Sequence, residues 1–376
     1  MKKINVLVVD DSAFMRKMIG NILSSDEGIH VIGTAKTGKE AIEKVIQLKP
    51  DVVTLDIEMP VMNGLDALKV IMKECPVPVI MLSSLTQEGA TSSFIALDNG
   101  AVDFVPKPSG AISLDIETVS DQIIKKVKMA VTVNLKKLQV PKQTPKLPIR
   151  KISKVPAIVE ETKIPLKNEN KVQIDKPAEA HVFTKQSNRI VCIGTSTGGP
   201  RALQEVLTKI PNGFQPPIFI VQHMPAGFTN SLAVRLDKLS AIHVKEAENG
   251  ERVANGTAYI APGGFHMKVI QKHNELLIEL SEEPPKNGHR PSVDVLFESI
   301  SSLVNYEITS AILTGMGADG AKGMKLIKQQ CKGTTIAESE ETSVVFGMPK
   351  AAALLNVVDE VVPIQLVADT IIKHSK

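Results

Sequence analysis

The 376-residue chain, 43% hydrophobic, exceeds one ordinary domain and can build two cores of usual size. It has no Trp and two Tyr, too few aromatics for a base-stacking platform, and its three cysteines (Cys75, Cys192, Cys331) show no paired spacing, which points to a reducing cytoplasm and away from structural zinc or disulfides. The formal net charge of +3 hides an asymmetry, since residues 135–189 carry 13 Lys or Arg against 5 Asp or Glu; the rest of the chain is net acidic and offers no basic face for nucleic acid.

From the N-terminus, Met1-Lys2-Lys3 leads into a short apolar run over 4–9 that ends in two aspartates. It is too short for a membrane span and lacks the form of a signal peptide, so the expectation is a soluble, cytoplasmic protein with no membrane insertion. Through about residue 130, β-branched runs at 5–9, 30–34, 51–55, 77–82 and 101–105 alternate with amphipathic stretches. This predicts five βα units around a parallel sheet. Thr37-Gly38-Lys39-Glu40 has the form of a capping box, in which hydroxyl and carboxylate satisfy first-turn amides reciprocally.

Over 131–187 the pattern collapses into Lys, Pro, Val and Glu, with six prolines and no glycine from 135 onward. Such a composition buries too little apolar surface to offset its ordering entropy, so it reads as a flexible, extended tether. Periodicity resumes at Arg189, with runs at 190–193, 218–222, 258–260, 268–270, 276–280, 311–313 and 334–337. The whole is α/β: a first domain over 1–130, and over 188–376 a doubly wound second domain whose sheet is mostly parallel.

In open parallel sheets ligands sit beyond the carboxyl ends of the strands, so polar residues that stop an apolar run there are informative. Asp10 and Asp11 stop the first run, Asp56 the third and Ser83 the fourth, and Lys107 follows the fifth. Three carboxylates in one crevice repel one another unless a hard divalent cation neutralises them, and an incomplete oxygen cage suits Mg²⁺ carrying waters. Asp56 can then attack a phosphoryl group, with the cation and Lys107 neutralising the acyl phosphate.

Residues 3–125 resemble the response-regulator receiver domain. The matching stretches are Val8-Val9-Asp10-Asp11-Ser12, Leu55-Asp56-Ile57-Glu58-Met59-Pro60 with Asn63-Gly64-Leu65, Leu82-Ser83-Ser84, and residues 100–108 ending in Val105-Pro106-Lys107-Pro108. The resemblance implies a flavodoxin-like (βα)5 fold with Asp56 as phosphoacceptor. It implies Mg²⁺ held by Asp10, Asp11, Asp56 and the Glu58 backbone carbonyl. It also implies a switch made of Ser83, Phe104 and Lys107, and a cis Lys107–Pro108 bond.

In the second domain, the strand run 189–193 meets a helix pattern starting at Pro200 through Gly194-Thr195-Ser196-Thr197-Gly198-Gly199. The spacing G-x-S-x-G permits a sharp turn that exposes a Ser hydroxyl beside helix-start amides. A glycine-rich turn of this kind can equally cradle phosphate, or be only a turn. A nucleophilic serine needs a base, and among eight histidines His223 directly follows a strand run, with His266 its main competitor. For an orienting acid, Asp319 lies in the glycine loop Thr314-Gly315-Met316-Gly317-Ala318-Asp319-Gly320.

Residues 188–373 resemble the catalytic domain of the chemotaxis protein-glutamate methylesterases. The resemblance rests on Ile193 to Gly199, Val221-Gln222-His223-Met224-Pro225, Tyr259 to Gly264, His289 to Phe297, Leu313 to Gly320 and Phe346-Gly347-Met348-Pro349. Thr195 stands where Ala is commoner. The resemblance implies a Ser196–His223–Asp319 triad, with the oxyanion stabilised by backbone amides of Met316 and Thr197 and no cofactor in the esterase site. It implies hydrolysis of glutamyl methyl esters on methyl-accepting chemotaxis receptors, releasing methanol, and deamidation of specific receptor glutamines. It further implies a chemotaxis histidine kinase as phosphodonor, and a receiver that covers the active site until Asp56 is phosphorylated.

Overall fold

In the computed structural model, which describes residues 3–107, 116–138, 187–273 and 275–375, the alternating pattern resolves into two parallel sheets. The first holds β1 (Ile4–Val9), β2 (Ile29–Ala35), β3 (Val52–Asp56), β4 (Val79–Ser83) and β5 (Asp103–Pro106) in the order β2-β1-β3-β4-β5. Parallel neighbours need crossovers, and these are α1 (Ala13–Ser24), α2 (Gly38–Leu48), α3 (Gly64–Glu74) and α4 (Gln87–Asp98), with α5 (Ile116–Ala130) closing the unit. Helices cover both faces, so β3 and β4 are buried at every position.

The starts of α1 to α4 are written in their caps: Ser12, Thr37, Asn63 and Thr86 each accept a first-turn amide. The Thr37 box differs from expectation on one side, because the Glu40 carboxylate takes the Lys36 amide rather than that of Thr37. β4 opens at Val79, after Pro78, whose missing N–H cannot join a ladder. Beyond α5 the chain makes a 3₁₀ turn at Leu135–Leu138. The expected cis bond at Pro108 and most of the expected tether, 139–186, lie outside the described residues.

The second sheet has seven strands, all parallel: β6 (Arg189–Thr195), β7 (Ile218–Gln222), β8 (His243–Glu246), β9 (Thr257–Ile260), β12 (Glu307–Ile312), β13 (Lys332–Glu338) and β14 (Glu360–Val362), ordered β14-β13-β12-β6-β7-β9-β8. The antiparallel pair β10 (His266–Lys272) and β11 (Glu275–Ser281) forms a hairpin of its own. Its helices are α6 (Gly199–Leu207), α7 (Phe228–Leu239), α8 (Val293–Ser301), α9 (Ala321–Gln330), α10 (Met348–Leu354) and α11 (Ile364–His374). The edge strands β8 and β14 escaped the sequence reading because they are short and only Val244 among their residues is fully buried.

Both sheets reverse their winding beside their first strand, and such switch points open a crevice at the strand ends. In the first sheet the reversal lies between β1 and β3, where Asp10 and Asp56 sit; in the second it lies between β6 and β12, where Ser196 and the Thr314–Gly320 loop sit. The two domains also meet. Phe104 of β5 stacks on Phe228 of α7 at 4.9 Å between ring centres, and Arg235 of α7 pairs with Asp98 at 2.7 Å. No helix among the described residues is long and apolar enough to cross a membrane.

Candidate functional site

The turn after β6 is shaped by its glycines. Gly198 has φ +81°, a conformation that L side chains rarely adopt, and a Cβ on Gly199 would fall 1.9 Å from Gln222 Oε1. Ser196, partly exposed at the crest, donates its amide to the Thr314 carbonyl at 3.0 Å. The unusual Thr195 is accommodated because its buried hydroxyl donates to that same carbonyl. Thr195 and Gln222 are register partners across β6 and β7, so Ser196 and His223 leave adjacent strands side by side. Gln222 Nε2 ties them together, donating to the carbonyls of Ser196 (3.0 Å) and His223 (3.2 Å).

His223 Nε2 lies 2.8 Å from Asp319 Oδ2, and both side chains are almost fully buried. Asp319 also accepts the amides of Val293 (2.7 Å) and Asp294 (3.3 Å) at the start of α8, the Ser292 hydroxyl (2.8 Å) and Asn287 Nδ2 (2.8 Å). Burial alone would raise the Asp319 pKa, but His223, Asn287 and the Val293 amide outweigh it and hold the carboxyl well below the usual range. An ionised Asp319 makes Nε2 the protonated ring nitrogen. Nδ1, buried and without a partner, is left as the free lone pair.

Several groups around this pair have no role that the sequence alone assigns. His289 stacks flat on His223, with ring centres 3.8 Å apart and planes 9° apart. Burial first, then the neighbouring His223, pushes the His289 pKa down to about 3, so it packs as a neutral ring. His289, Ser292 and Val293 fall inside the stretch quoted for resemblance, while Asn287 lies two residues before it. The competitor His266 is excluded by its surroundings: it is fully buried at the start of β10, and its Nε2 faces the Pro284 carbonyl at 3.2 Å rather than a carboxylate.

Of the expected oxyanion residues, Met316 is partly buried and packs against the core of the first domain. Thr197 is buried, and its hydroxyl donates to Asp103 Oδ2 at 2.6 Å. Asp103 lies on β5 and is paired through Oδ1 with Lys126 of α5 at 3.0 Å, so residues of the first domain bind the turn that carries Ser196.

At the other switch point, Asp10, Asp11 and Asp56 bring carboxylate oxygens within 4.8 Å of one another. Lys107 Nζ sits 2.8 Å from Asp56 and 3.1 Å from Asp10. Burial raises the Asp56 pKa to about 6, against the pull of Lys107 and with the help of Asp10. Asp56 Oδ2 is buried without a hydrogen-bond partner, and an all-carboxylate donor set with an orphaned oxygen fits a hard divalent cation. Glu58 is exposed, and its amide donates to Asp56 Oδ1 at 3.3 Å. Ser83 Oγ donates to the Gly89 carbonyl at 2.9 Å, and Phe104 is turned inward against Phe94 and Phe228.

Residues 191–371 match the family model described as CheB methylesterase, and residues 6–117 match the response regulator receiver domain. A protein-glutamate methylesterase/protein-glutamine glutaminase of Halalkalibacterium halodurans is 49% identical over 375 residues, covering 100% of this chain and 99% of its own. This chain belongs to that family. The Bacillus subtilis protein of the same name is 45% identical, over 98% of this chain and 97% of the relative. Among solved structures, the Thermotoga maritima CheB methylesterase catalytic domain is 44% identical and covers 49% of this chain and 97% of that one, with a TM-score of 0.48. The response regulator domain of Thermotoga maritima CheB is 54% identical and covers 35% and 99%, with a TM-score of 0.33. The two family-model matches give the chain a receiver followed by a methylesterase domain, in the order the sequence predicts.

Proposed function

We propose that this chain hydrolyses glutamyl methyl esters on chemotaxis receptors and deamidates receptor glutamines, under control of phosphorylation at Asp56. The observation that carries the reading is the buried His223–Asp319 pair beside Ser196, at the switch point of the second sheet. The chain divides into a receiver over 1–130, a tether over 131–187 and a catalytic domain over 188–376.

Ser196 Oγ attacks the ester carbonyl, and His223 Nδ1 takes its proton. Asp319 keeps Nε2 protonated and stabilises the imidazolium that forms. The tetrahedral oxyanion is held by backbone amides of Met316 and Thr197. Collapse breaks the C–O bond to methoxide, which leaves as methanol with the proton from Nδ1. Water, deprotonated by the same nitrogen, then releases the free glutamate and restores Ser196. For a glutamine the leaving group is ammonia by the same sequence. No cofactor is needed at this site.

In the receiver, Asp10, Asp11, Asp56 and the Glu58 carbonyl would hold Mg²⁺, which supplies charge neutralisation for phosphoryl transfer from the chemotaxis histidine kinase. Repression by the unphosphorylated receiver is supported by the Thr197–Asp103 bond, the Phe104–Phe228 stack and the packing of Met316 on the receiver core. Phosphorylation shifts the population away from this contact, with Lys107, Ser83 and Phe104 as the switch. The site of action is the cytoplasm.

The test is methanol release from membranes bearing methyl-labelled receptors. Ser196→Ala abolishes release while Asp56 still takes up phosphate, and near-normal release from that variant would remove Ser196 from its role. Asp56→Asn keeps basal release and loses stimulation by a phosphodonor; full stimulation would refute the regulatory scheme.

A further inference from the structure

One buried carboxylate close to the active site has no part in this chemistry. Glu338 ends β13 and is 1% exposed. Ile312 and Ala337 are register partners, so Glu338 lies beside the start of the loop that follows β12. Its Oε2 accepts the Thr314 amide at 2.8 Å, and its Oε1 accepts the Thr342 hydroxyl at 2.9 Å. That hydroxyl also accepts the Ile364 amide, which leaves its own proton for Glu338.

Thr314 is the hub of the nucleophile turn. Its carbonyl receives the Ser196 amide and the Thr195 hydroxyl, each at 3.0 Å, and its own hydroxyl donates to the Thr197 carbonyl at 2.9 Å. All three residues at the crest of the turn, 195–197, thus hang on one residue, whose amide hangs on Glu338. The next residue, Gly315, gives its amide to the Val345 carbonyl at 3.0 Å and receives the amides of Gly347 and Met348. The 3₁₀ turn beyond α5 reaches the same region, since its Lys137 donates to the carbonyls of Glu340 (2.5 Å) and Ser343 (3.2 Å).

We propose that Glu338 is a positioning residue of the esterase, anchoring the Thr314 peptide and so fixing Ser196 against the Gly315–Met316 loop that supplies the oxyanion amide. This deepens the methylesterase reading and rests on it. A carboxylate suits the task because it accepts from amide and hydroxyl at once, and a charge-assisted bond is stronger than a neutral one. Burial raises its pKa to about 7, opposed by the Thr314 and Thr342 bonds and by Lys137, the charge set against it from the 3₁₀ turn. A protonated Glu338 presents a donor to neighbours that are themselves donors, so the anchor loosens below neutral pH.

The test uses the full-length protein with a phosphodonor, read by methanol release from methylated receptor membranes and by the rate at which a fluorophosphonate labels Ser196. E338L removes both acceptors at similar volume. Its kcat falls roughly 30-fold with KM unchanged, and labelling slows in parallel, while E338Q, which keeps one acceptor and mimics the protonated acid, falls between E338L and the wild type. Below neutral pH, log kcat of the wild type falls more steeply than that of E338Q and converges on it, because protonated Glu338 and the E338Q amide present the same kinds of group. A merely structural Glu338 would lower the unfolding temperature of E338L and leave its kcat per folded molecule at the wild-type level, which overturns the proposal. Should E338L not fold, an E338Q profile identical to the wild type would overturn it instead. Failure of the wild type to release methanol sinks the substrate reading alone, because the labelling rates still decide the role of Glu338.

Discussion

Asp56 and Asp319 are both buried aspartates at the switch point of a parallel sheet, yet their acidities move in opposite directions. Asp56 is raised to about 6, since burial and the neighbouring Asp10 outweigh a single ammonium. Asp319 meets the same burial but receives His223, Asn287, Ser292 and two amides at the start of α8, and it is lowered. Burial therefore does not set the charge of such a group; the number of donors aimed at it does. The difference matches the two proposed tasks. A carboxylate that must carry a phosphoryl group needs an incomplete shell, with room for a cation and an incoming phosphorus, whereas one that must hold an imidazole needs a complete one.

The sharpest way to break this comparison is to remove the charge from the completed shell. Asp319→Asn keeps the shape but permits the wrong imidazole tautomer, and by analogy with serine-protease triads kcat falls about 10⁴-fold; a loss under tenfold would show that His223 does not depend on Asp319. A milder step removes one donor. Asn287→Ala leaves Asp319 short of one bond, and a charge-assisted bond of about 1.5–3 kcal/mol, felt only through His223, lowers kcat roughly tenfold.

The same variant has a signature in acid. Because the folded Asp319 pKa lies below its ordinary 3.8, its contribution to stability is present above that value and is lost as pH falls toward the folded pKa. Removing Asn287 raises the folded pKa, so the variant is less stable at neutral pH but loses less between pH 4 and pH 2. Parallel denaturant midpoints for both proteins across that range would contradict the assignment.

The two sites also differ in how far their residues could be read from the chain. Asp10, Asp56, Ser83 and His223 all stop or directly follow apolar runs, and a parallel sheet turns that local fact into a shared location, while Ser196 is marked by the G-x-S-x-G spacing after its run. Asp319 was accessible because a glycine loop with one carboxylate follows the run ending at Leu313. The supporting groups carry no such mark. Asn287 and Ser292 reach Asp319 across 32 and 27 residues, Gln222 reaches the Ser196 carbonyl across 26, and Glu338 reaches Thr314 across 24. These bonds depend on how the hairpin and helices pack around the sheet, and periodicity does not encode that packing. For the same reason the Thr197–Asp103 bond, spanning 94 residues and two domains, has no trace in either local pattern.

That bond gives the last and smallest test, because it joins the two regions being compared. Asp103 divides its carboxylate between Lys126 and Thr197, so the receiver holds the nucleophile turn with an oxygen that is itself fixed by an ammonium. In Asp103→Ala the Thr197 hydroxyl loses its partner, while the aromatic stack and the Arg235–Asp98 pair remain. One hydrogen bond to a charged group is worth about 1.5–3 kcal/mol, and part of it is recovered by water once the domains separate. Basal methanol release therefore rises several-fold, and the phosphorylated activity, already free of the contact, stays where it was. If basal activity does not change, the receiver restrains the esterase by coverage alone; if the phosphorylated activity falls too, Asp103 acts within its own domain and the bond to Thr197 is incidental.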